Sequence, residues 1–269
     1  MLKTRLIPCI LTKNELVVQS FGFNRYLPIG DVRTAIEFFV NWDVDEIVII
    51  DIDASIKDRR PNFDLVEWAA KECFVPLTVG GGIKNLEHIQ GLLNAGADKV
   101  CINSVVRDEL SFITEASNMF GDQCITVSVD AVKNGEAHSI YDYQAAEELN
   151  LDVTEHLKAI EFAGAGEILL NSVDRDGSRE GYDLELLKLV SSAVKIPVIA
   201  LGGVGRFEHL AEAVITGGCQ AVAAANIFQH VEHSTIAAKA QMLEAGLPVR
   251  LSSEVKYKNF SLDILGRPF

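Results

Sequence analysis

Pro76-Leu-Thr-Val-Gly-Gly-Gly-Ile-Lys-Asn-Leu-Glu-His88 and Pro197-Val-Ile-Ala-Leu-Gly-Gly-Val-Gly-Arg-Phe-Glu-His209 are one unit written twice. Each is a short apolar run, a glycine turn and the opening of a helix. The two lie 121 residues apart. At the same spacing Glu46-Ile-Val-Ile-Ile-Asp51 matches Glu167-Ile-Leu-Leu-Asn-Ser172. One residue further on, Ala-Gly-Ala-Asp at 95–98 matches Gly-Gly-Cys-Gln at 217–220. Strand, turn and helix recur together in register. The chain therefore reads as two similar halves, about 1–121 and 122–250, each with four βα units.

Outward from these units, apolar β-rich runs alternate with amphipathic segments. The strand candidates are Arg5–Leu11, Glu46–Asp51, Val75–Val79, Lys99–Ile102, Cys124–Asp130, Glu167–Asn171, Pro197–Leu201 and Ala221–Ala225. Several are apolar throughout, as strands covered on both faces should be. Helical spacing is expected near 32–41, 63–73, 86–95, 108–119, 153–163, 183–194, 207–216 and 234–244. Strict alternation points to a parallel sheet, closed or doubly wound. The repeat favours closure, so the expected fold is α/β, a single (β/α)8 barrel over 1–250. No Pro/Gly/Ser-rich linker divides it. Residues 251–269 run beyond it, either as a disordered end or with Tyr257, Phe260, Leu262 and Leu265 packed on the barrel or a partner.

Composition narrows the function. The 269 residues are 48% hydrophobic and carry a net charge of −14. Nucleic acid and anionic membrane both call for a basic surface, so neither is expected as partner. The cysteines Cys9, Cys73, Cys101, Cys124 and Cys219 form no CxxC pair and read as reduced core residues. No secretory signal and no membrane span are visible, which points to a cytoplasmic protein. No HExxH or Cys/His cluster suggests a metal, and no cofactor is expected. His88 and His209 read as structural.

In parallel barrels the chemistry sits at the carboxyl ends of the strands. Gly80-Gly81-Gly82 ends the third strand and Asn103-Ser104 the fourth; Gly202-Gly203 ends the seventh and Ala225-Asn226 the eighth. Glycines let the backbone approach closely, and N–H groups at a helix start attract anions. Two such cups related by the repeat predict a phosphorylated small-molecule substrate with a phosphate at each end; the bland alternative is tight βα turns. Asp130 ends the fifth strand and is the first candidate for a general acid or base. Asp51, Asp53, Asp174 and Asp176, the last followed by Gly177, stand near the same mouth and serve equally well as loop or capping residues.

These segments resemble the cyclase subunit of imidazole glycerol phosphate synthase, the barrel that closes the imidazole ring in histidine biosynthesis. The resemblance covers about residues 1–250. It rests on Arg5-Leu-Ile-Pro-Cys9, Pro76–Ile83, Ala95–Val100, Gly164–Leu170, Asp174-Arg-Asp-Gly177 and Gly181-Tyr-Asp183. It implies a glutaminase subunit docked on the amino-terminal face, with ammonia passing through the barrel to the other face. It implies an ammonia gate of Arg5, Glu46, Lys99 and Glu167, and partner-facing positions at Asp98 and Gln123. It places substrate phosphates at Gly81, Gly82, Asn103 and Ser104, and at Asp176, Gly177, Gly202, Gly203, Ala225 and Asn226.

On the reaction face the chain departs from that family. Of the family's two catalytic aspartates the second matches Asp130, whereas the first falls on Leu11, the half-barrel mate of Asp130. The family's nearby lysine falls on Gln19, and Asn226 follows Ala225 where a serine is usual. Gln144–Leu151 lacks the Gly/Thr-rich substrate segment, and Asn24–Asp31 has fewer small residues than the family's flexible first loop. Losing a true acid–base group costs on the order of 10²–10⁴-fold. Three readings are open. The first is a paralogue that keeps ammonia delivery but attacks a different phosphorylated or nucleotide-linked electrophile, as relatives in surface-polysaccharide clusters do when converting an acylamino sugar to an amidino sugar. The second is a histidine-pathway cyclase with Asp51, Asp53 or Asp176 substituting for the lost group. The third is a non-catalytic scaffold that activates a glutaminase.

Overall fold

The structure is a computed structural model that describes residues 3–229, 235–252 and 257. Eight parallel strands close on themselves: β1 (Arg5–Lys13), β4 (Ile47–Asp51), β5 (Leu77–Gly80), β6 (Lys99–Ile102), β7 (Ile125–Asn134), β10 (Glu167–Ser172), β11 (Val198–Leu201) and β12 (Ala221–Ala224). They succeed one another round the barrel in that order. β1 pairs with both β12 and β4, and the β7–β10 pairing completes the circuit. This is a (β/α)8 barrel.

Around it run α1 (Val32–Val40), α2 (Phe63–Glu72), α3 (Leu86–Asn94), α5 (Ser111–Phe120), α6 (Val153–Ala163), α7 (Leu184–Ala193), α8 (Glu208–Ile215) and α9 (Thr235–Glu244), with a short turn α4 (Ser104–Asp108) after β6. Their starts are written in the sequence. Asp31, Asn62, Asn85, Asp152 and Asp183 each accept a backbone N–H of the first turn, satisfying a donor that helix geometry leaves unpaired. The inner faces repeat at helical spacing, as in Val32, Ile36 and Phe39 of α1. No helix among the described residues is long and apolar enough to cross a membrane.

Side-chain alternation splits the core in two. Odd positions of β7 (Ile125, Val127, Val129, Ala131) join the layer beneath the helices. The lumen is a separate cluster of Ile7, Cys9, Val48, Cys101, Leu169, Ile199, Leu201, Ala221 and Ala223, with Leu11, Ile50 and Ala225 packed on it at one end. The period of two sends Arg5, Lys99 and Glu167 into the other end of the same lumen. The five cysteines are free, three of them buried.

Four strands go beyond the sequence expectation. β2 (Leu16–Phe21) and β3 (Arg25–Asp31) continue β1 as an antiparallel hairpin, and β8 (Ala137–Asp142) and β9 (Glu147–Asp152) continue β7 likewise. Asn24–Asp31 is thus mostly strand, and Gln144–Leu151 is a turn leading into β9. The reason is local: β3 and β9 are almost wholly exposed, so the short alternations Leu27-Pro-Ile29 and Leu149-Asn-Leu151 mark no buried face. The strand expected at Val75–Val79 begins at Leu77, after Pro76, which has no N–H to pair. The helix expected over 108–119 breaks at Glu109, where φ is −138° and ψ is 85°, into α4 and α5. Of the terminal segment, Phe260, Leu262 and Leu265 lie outside the described residues; Tyr257 is buried and hydrogen-bonds to Asp43.

Candidate functional site

At the amino-terminal end of the lumen four charges form an alternating ring. The Arg5 guanidinium donates to Glu46 Oε2 at 2.6 Å and to Glu167 Oε1 at 2.6 Å. Lys99 Nζ lies 3.1 Å from Glu46 Oε2 and 2.8 Å from Glu167 Oε2. Glu46 is buried, with its remaining oxygen accepting the Thr78 hydroxyl at 2.7 Å. The neighbouring carboxylates hold the Arg5 guanidinium above its ordinary value against the opposing effect of burial. Asp98 and Gln123 stand on the same end, just before β6 and β7. The Asp98 carboxylate accepts the Leu77 N–H at 2.8 Å, and Gln123 is exposed in a 3-10 turn.

At the opposite end a cleft opens over the lumen. Asp130 is 5% exposed at its floor. It accepts Asn103 Nδ2 at 2.7 Å, and Asn171 Nδ2 approaches its other oxygen at 3.5 Å. Burial pushes its carboxyl up to about 7; the two amide donors oppose that shift, and the negative charges of Asp176 and Asp142 add to it. Asn103 is the residue before α4, but its side chain serves Asp130 rather than capping the helix.

Leu11 faces the same cleft. Its register identifies it as the half-barrel mate of Asp130: Leu11 pairs with Ile50, Asp130 pairs with Asn171, and Ile50 and Asn171 are the 121-residue mates.

The first cup comes together as expected. Gly81, Gly82, Asn103 and Ser104 all line the cleft. The Gly82 N–H donates to Ser55 Oγ at 3.3 Å, and the Ser104 hydroxyl reaches the same oxygen at 3.4 Å. The turn needs glycine. Gly81 has φ of +102°, and a Cβ there would stand 2.3 Å from the Asp51 carbonyl oxygen.

The second cup is placed differently. Asp176, Gly177, Gly202, Gly203, Ala225 and Asn226 are not among the residues lining that cleft, and the β2–β3 hairpin lies against Asp176, Gly177 and Asn226. Asn226 Nδ2 donates to the Ser20 carbonyl at 2.7 Å and its Oδ1 accepts the Ser20 N–H at 3.2 Å. Asp176 accepts the Ser20 hydroxyl at 2.6 Å and the Phe23 N–H at 3.2 Å, and burial raises its pKa. A Cβ on Gly177 would meet the Ser20 carbonyl at 2.6 Å.

The other acidic candidates are occupied. Arg59 bridges Asp51 and Asp53, and Lys57 also holds Asp53, whose pKa is lowered to about 2 by its hydrogen bonds and positive neighbours despite burial. Asp174 accepts the Lys133 N–H at 2.7 Å. His209 Nδ1 accepts the Gly205 N–H at 3.3 Å, and His88 Nδ1 stands 3.1 Å from the Gly82 carbonyl and 3.3 Å from the Lys84 N, so both histidines brace the turns beneath the cups.

Residues 5–234 match the model of the histidine biosynthesis protein family. The chain belongs to this family. It is 70% identical over 269 residues to a Vibrio vulnificus protein named "Putative imidazole glycerol phosphate synthase subunit hisF2", covering 100% of this chain and 99% of that one. A Campylobacter jejuni protein of the same name is 43% identical over 251 residues, 93% of this chain and 100% of its own length. Within the histidine biosynthesis family the chain is thus a barrel of the cyclase-subunit type.

This family member also has cleft residues that the sequence reading missed. Tyr143, in the β8–β9 turn, hydrogen-bonds with Ser55 and Ser104, while Phe23 and Tyr26 enter from the β2–β3 hairpin. Phe23 packs edge-on against Tyr141 at 6.0 Å between ring centres, so the two hairpins touch over the mouth. One signal was present. Asn134-Gly135 is a hairpin turn dipeptide, and recognising it would have placed Tyr141 and Tyr143 over the site.

Proposed function

We propose that this protein is the synthase subunit of an ammonia-using, cyclase-like lyase or amidotransferase. It takes ammonia from a glutaminase seated on the amino-terminal face, with Asp98 and Gln123 at that interface. Arg5, Glu46, Lys99 and Glu167 guard the entrance, and the ammonia is added to an activated carbon beside Asp130. The observation that carries the reading is the pairing of a complete charged ring at one end of the lumen with a buried carboxyl, Asp130, pushed up to about 7 at the other.

Asp130 suits both halves of the proton traffic. A carboxyl with a pKa near 7 is part protonated at neutral pH, so it can take a proton from the attacking nitrogen and return one to a leaving oxygen. Leu11 can do neither. Ring closure in the histidine pathway leans on two such groups in the family, whereas addition of ammonia to an activated carbonyl needs fewer proton transfers. This favours a redirected substrate, phosphorylated or nucleotide-linked, with an anionic group held by Gly81, Gly82, Asn103 and Ser104. Conversion of an acylamino sugar to an amidino sugar for surface polysaccharide fits these requirements, and none of the steps calls on a cofactor.

The test is turnover of the ring-opened histidine-pathway ribulosyl intermediate with ammonium salt, for wild type and Leu11→Asp side by side. No turnover by wild type and some by the variant is the expected result. Turnover by wild type would assign the protein to the histidine pathway instead. Ammonium-independent behaviour in every case, with glutaminase activation intact, would leave a scaffold.

A further inference from the structure

Asp130 has a second side. Besides the cleft it lines a small cavity behind β7, bounded by the end of β6, α4, β8 and α6. The walls of this cavity carry Arg107 from α4, Asp142 from the end of β8 and His156 from α6. Arg107 and Asp142 form an ion pair whose side chains are only 22% and 8% exposed. Asp142 is fixed further by the Gln144 N–H, which its Oδ1 accepts at 2.9 Å. Neither member of the pair lines the cleft of the proposed reaction, so neither is placed to touch a substrate there.

Two carboxyls on the walls of one cavity repel each other once both are ionised, and each strengthens the other's hold on a proton. Burial is the chief reason that Asp130 keeps its proton, and the negative charge of Asp142 adds to it. A guanidinium on the same wall works the other way, and it stays charged throughout. The other groups around Asp130 are mostly uncharged at neutral pH. Asn103 and Asn171 are amides. Burial holds the Cys101 thiol and the Tyr26 and Tyr143 hydroxyls protonated, and it keeps His156 neutral. Asp176 adds negative charge from the loop after β10, where the Ser20 hydroxyl and the Phe23 N–H hold it. Among the described residues Arg107 is the cation on the cavity wall.

We infer that Arg107 and Asp142 are positioning residues for Asp130, a charged pair behind the acid–base group that sets how tightly it holds its proton. This deepens the proposed function and rests on its reading of Asp130 as the group that moves the proton. The two members act as opposed levers. The Asp142 carboxylate tightens the hold and the Arg107 guanidinium loosens it. The ion pair fixes both charges in place, and the Gln144 N–H keeps the carboxylate from turning away. Asp130 can then serve as acid and base from the cleft side while its strength is set from the other.

The test is a pH titration of the aspartate carboxyl carbons by NMR in wild type, Asp142→Asn, Arg107→Gln and Arg107→Lys, with Asp130→Asn to assign the signal. Asp142→Asn keeps the shape and removes the negative lever, so Asp130 is expected to hold its proton about tenfold less tightly. Arg107→Gln removes the positive lever. The two carboxyls then titrate as a pair, and their last proton is expected to be held about tenfold more tightly than in wild type. Arg107→Lys keeps the charge and is expected to stay close to wild type. Asp130 titrating alike in wild type and Asp142→Asn, or moving the same way in Asp142→Asn and Arg107→Gln, would overturn the inference. Should Arg107→Gln fail to fold, the isosteric Asp142→Asn decides alone. The titration needs no turnover. Opposite shifts with no ammonia-dependent turnover would count against the proposed reaction and not against the pair, whereas unmoved titrations with turnover intact would count against the pair alone.

Discussion

Asp130→Asn should make the protein more stable, and by an amount that depends on pH. The folded carboxyl titrates near 7 because it is buried, whereas an unfolded chain's aspartate titrates near 4. The folded-state pKa is the higher one, so the native protein holds this proton more tightly than the unfolded chain does. Its contribution is favourable at low pH and is lost as pH rises from about 4 through about 7. Three units correspond to about 4 kcal/mol at full ionisation, at roughly 1.4 kcal/mol per unit. Asparagine is neutral throughout and keeps one oxygen for the Asn103 donor. The variant should therefore exceed wild type by about 4 kcal/mol at pH 8 and by only about 1–2 kcal/mol at pH 5. Urea unfolding of both proteins at the two pH values reads this out, with turnover expected to fall in the variant. A stability difference that stays the same at pH 5 and pH 8 would refute the claim that Asp130 is held part protonated by burial.

Four further outcomes can be checked on the same urea curves. Glu46→Ala removes a buried carboxylate that answers Arg5, Lys99 and Thr78; it should cost about 3–5 kcal/mol, as breaking a buried ion pair does. Lys239 is fully buried between Asp43 and Asp45, at 3.2 and 3.0 Å, so Lys239→Met should also cost about 3–5 kcal/mol although it lies far from the cleft. Gly135→Ala, at φ of +62° with open space around it, should cost about 1–2 kcal/mol. Gly81→Ala must add to that a collision with the Asp51 carbonyl, and should lose markedly more.

The barrel strands could be read from the sequence because each is buried on both faces and ends at a glycine or a polar mouth residue. The repeat then supplied closure, which no single strand can show. Asp130 and the first cup came out of that frame, since a known strand end fixes what faces the mouth. The two hairpins could not be read the same way. In β9 the run Glu147-Glu-Leu-Asn-Leu-Asp152 has no fully buried position, and Leu149 alone is half-buried, so no buried face announces the strand. β1 turns back into β2 at Asn14-Glu15 with φ of 50° and 66°, a left-handed pair in which glutamate gives no sequence warning. The second cup was therefore legible as a motif but not as a place. Nothing in Asp176-Gly177 or Asn226 tells that Ser20 will lie across them.

The charged ring shows why two similar halves cannot stay identical. Glu46 and Glu167 are repeat mates and sit across the lumen from each other. Arg5 and Lys99 both belong to the first half. By strand register their mates are Cys124 and Ala221, neither of which is a basic residue. Strict symmetry would have put four cations against two carboxylates in a space where each unpaired charge is expensive. Two of each give a neutral plug in which every carboxylate meets both cations. Symmetry was therefore kept where it builds strands and turns, and given up at both ends of the lumen. At one end neutrality required it. At the other, hydrocarbon at Leu11 facing a carboxyl at Asp130 turned a two-sided mouth into one with a polar side and an apolar side.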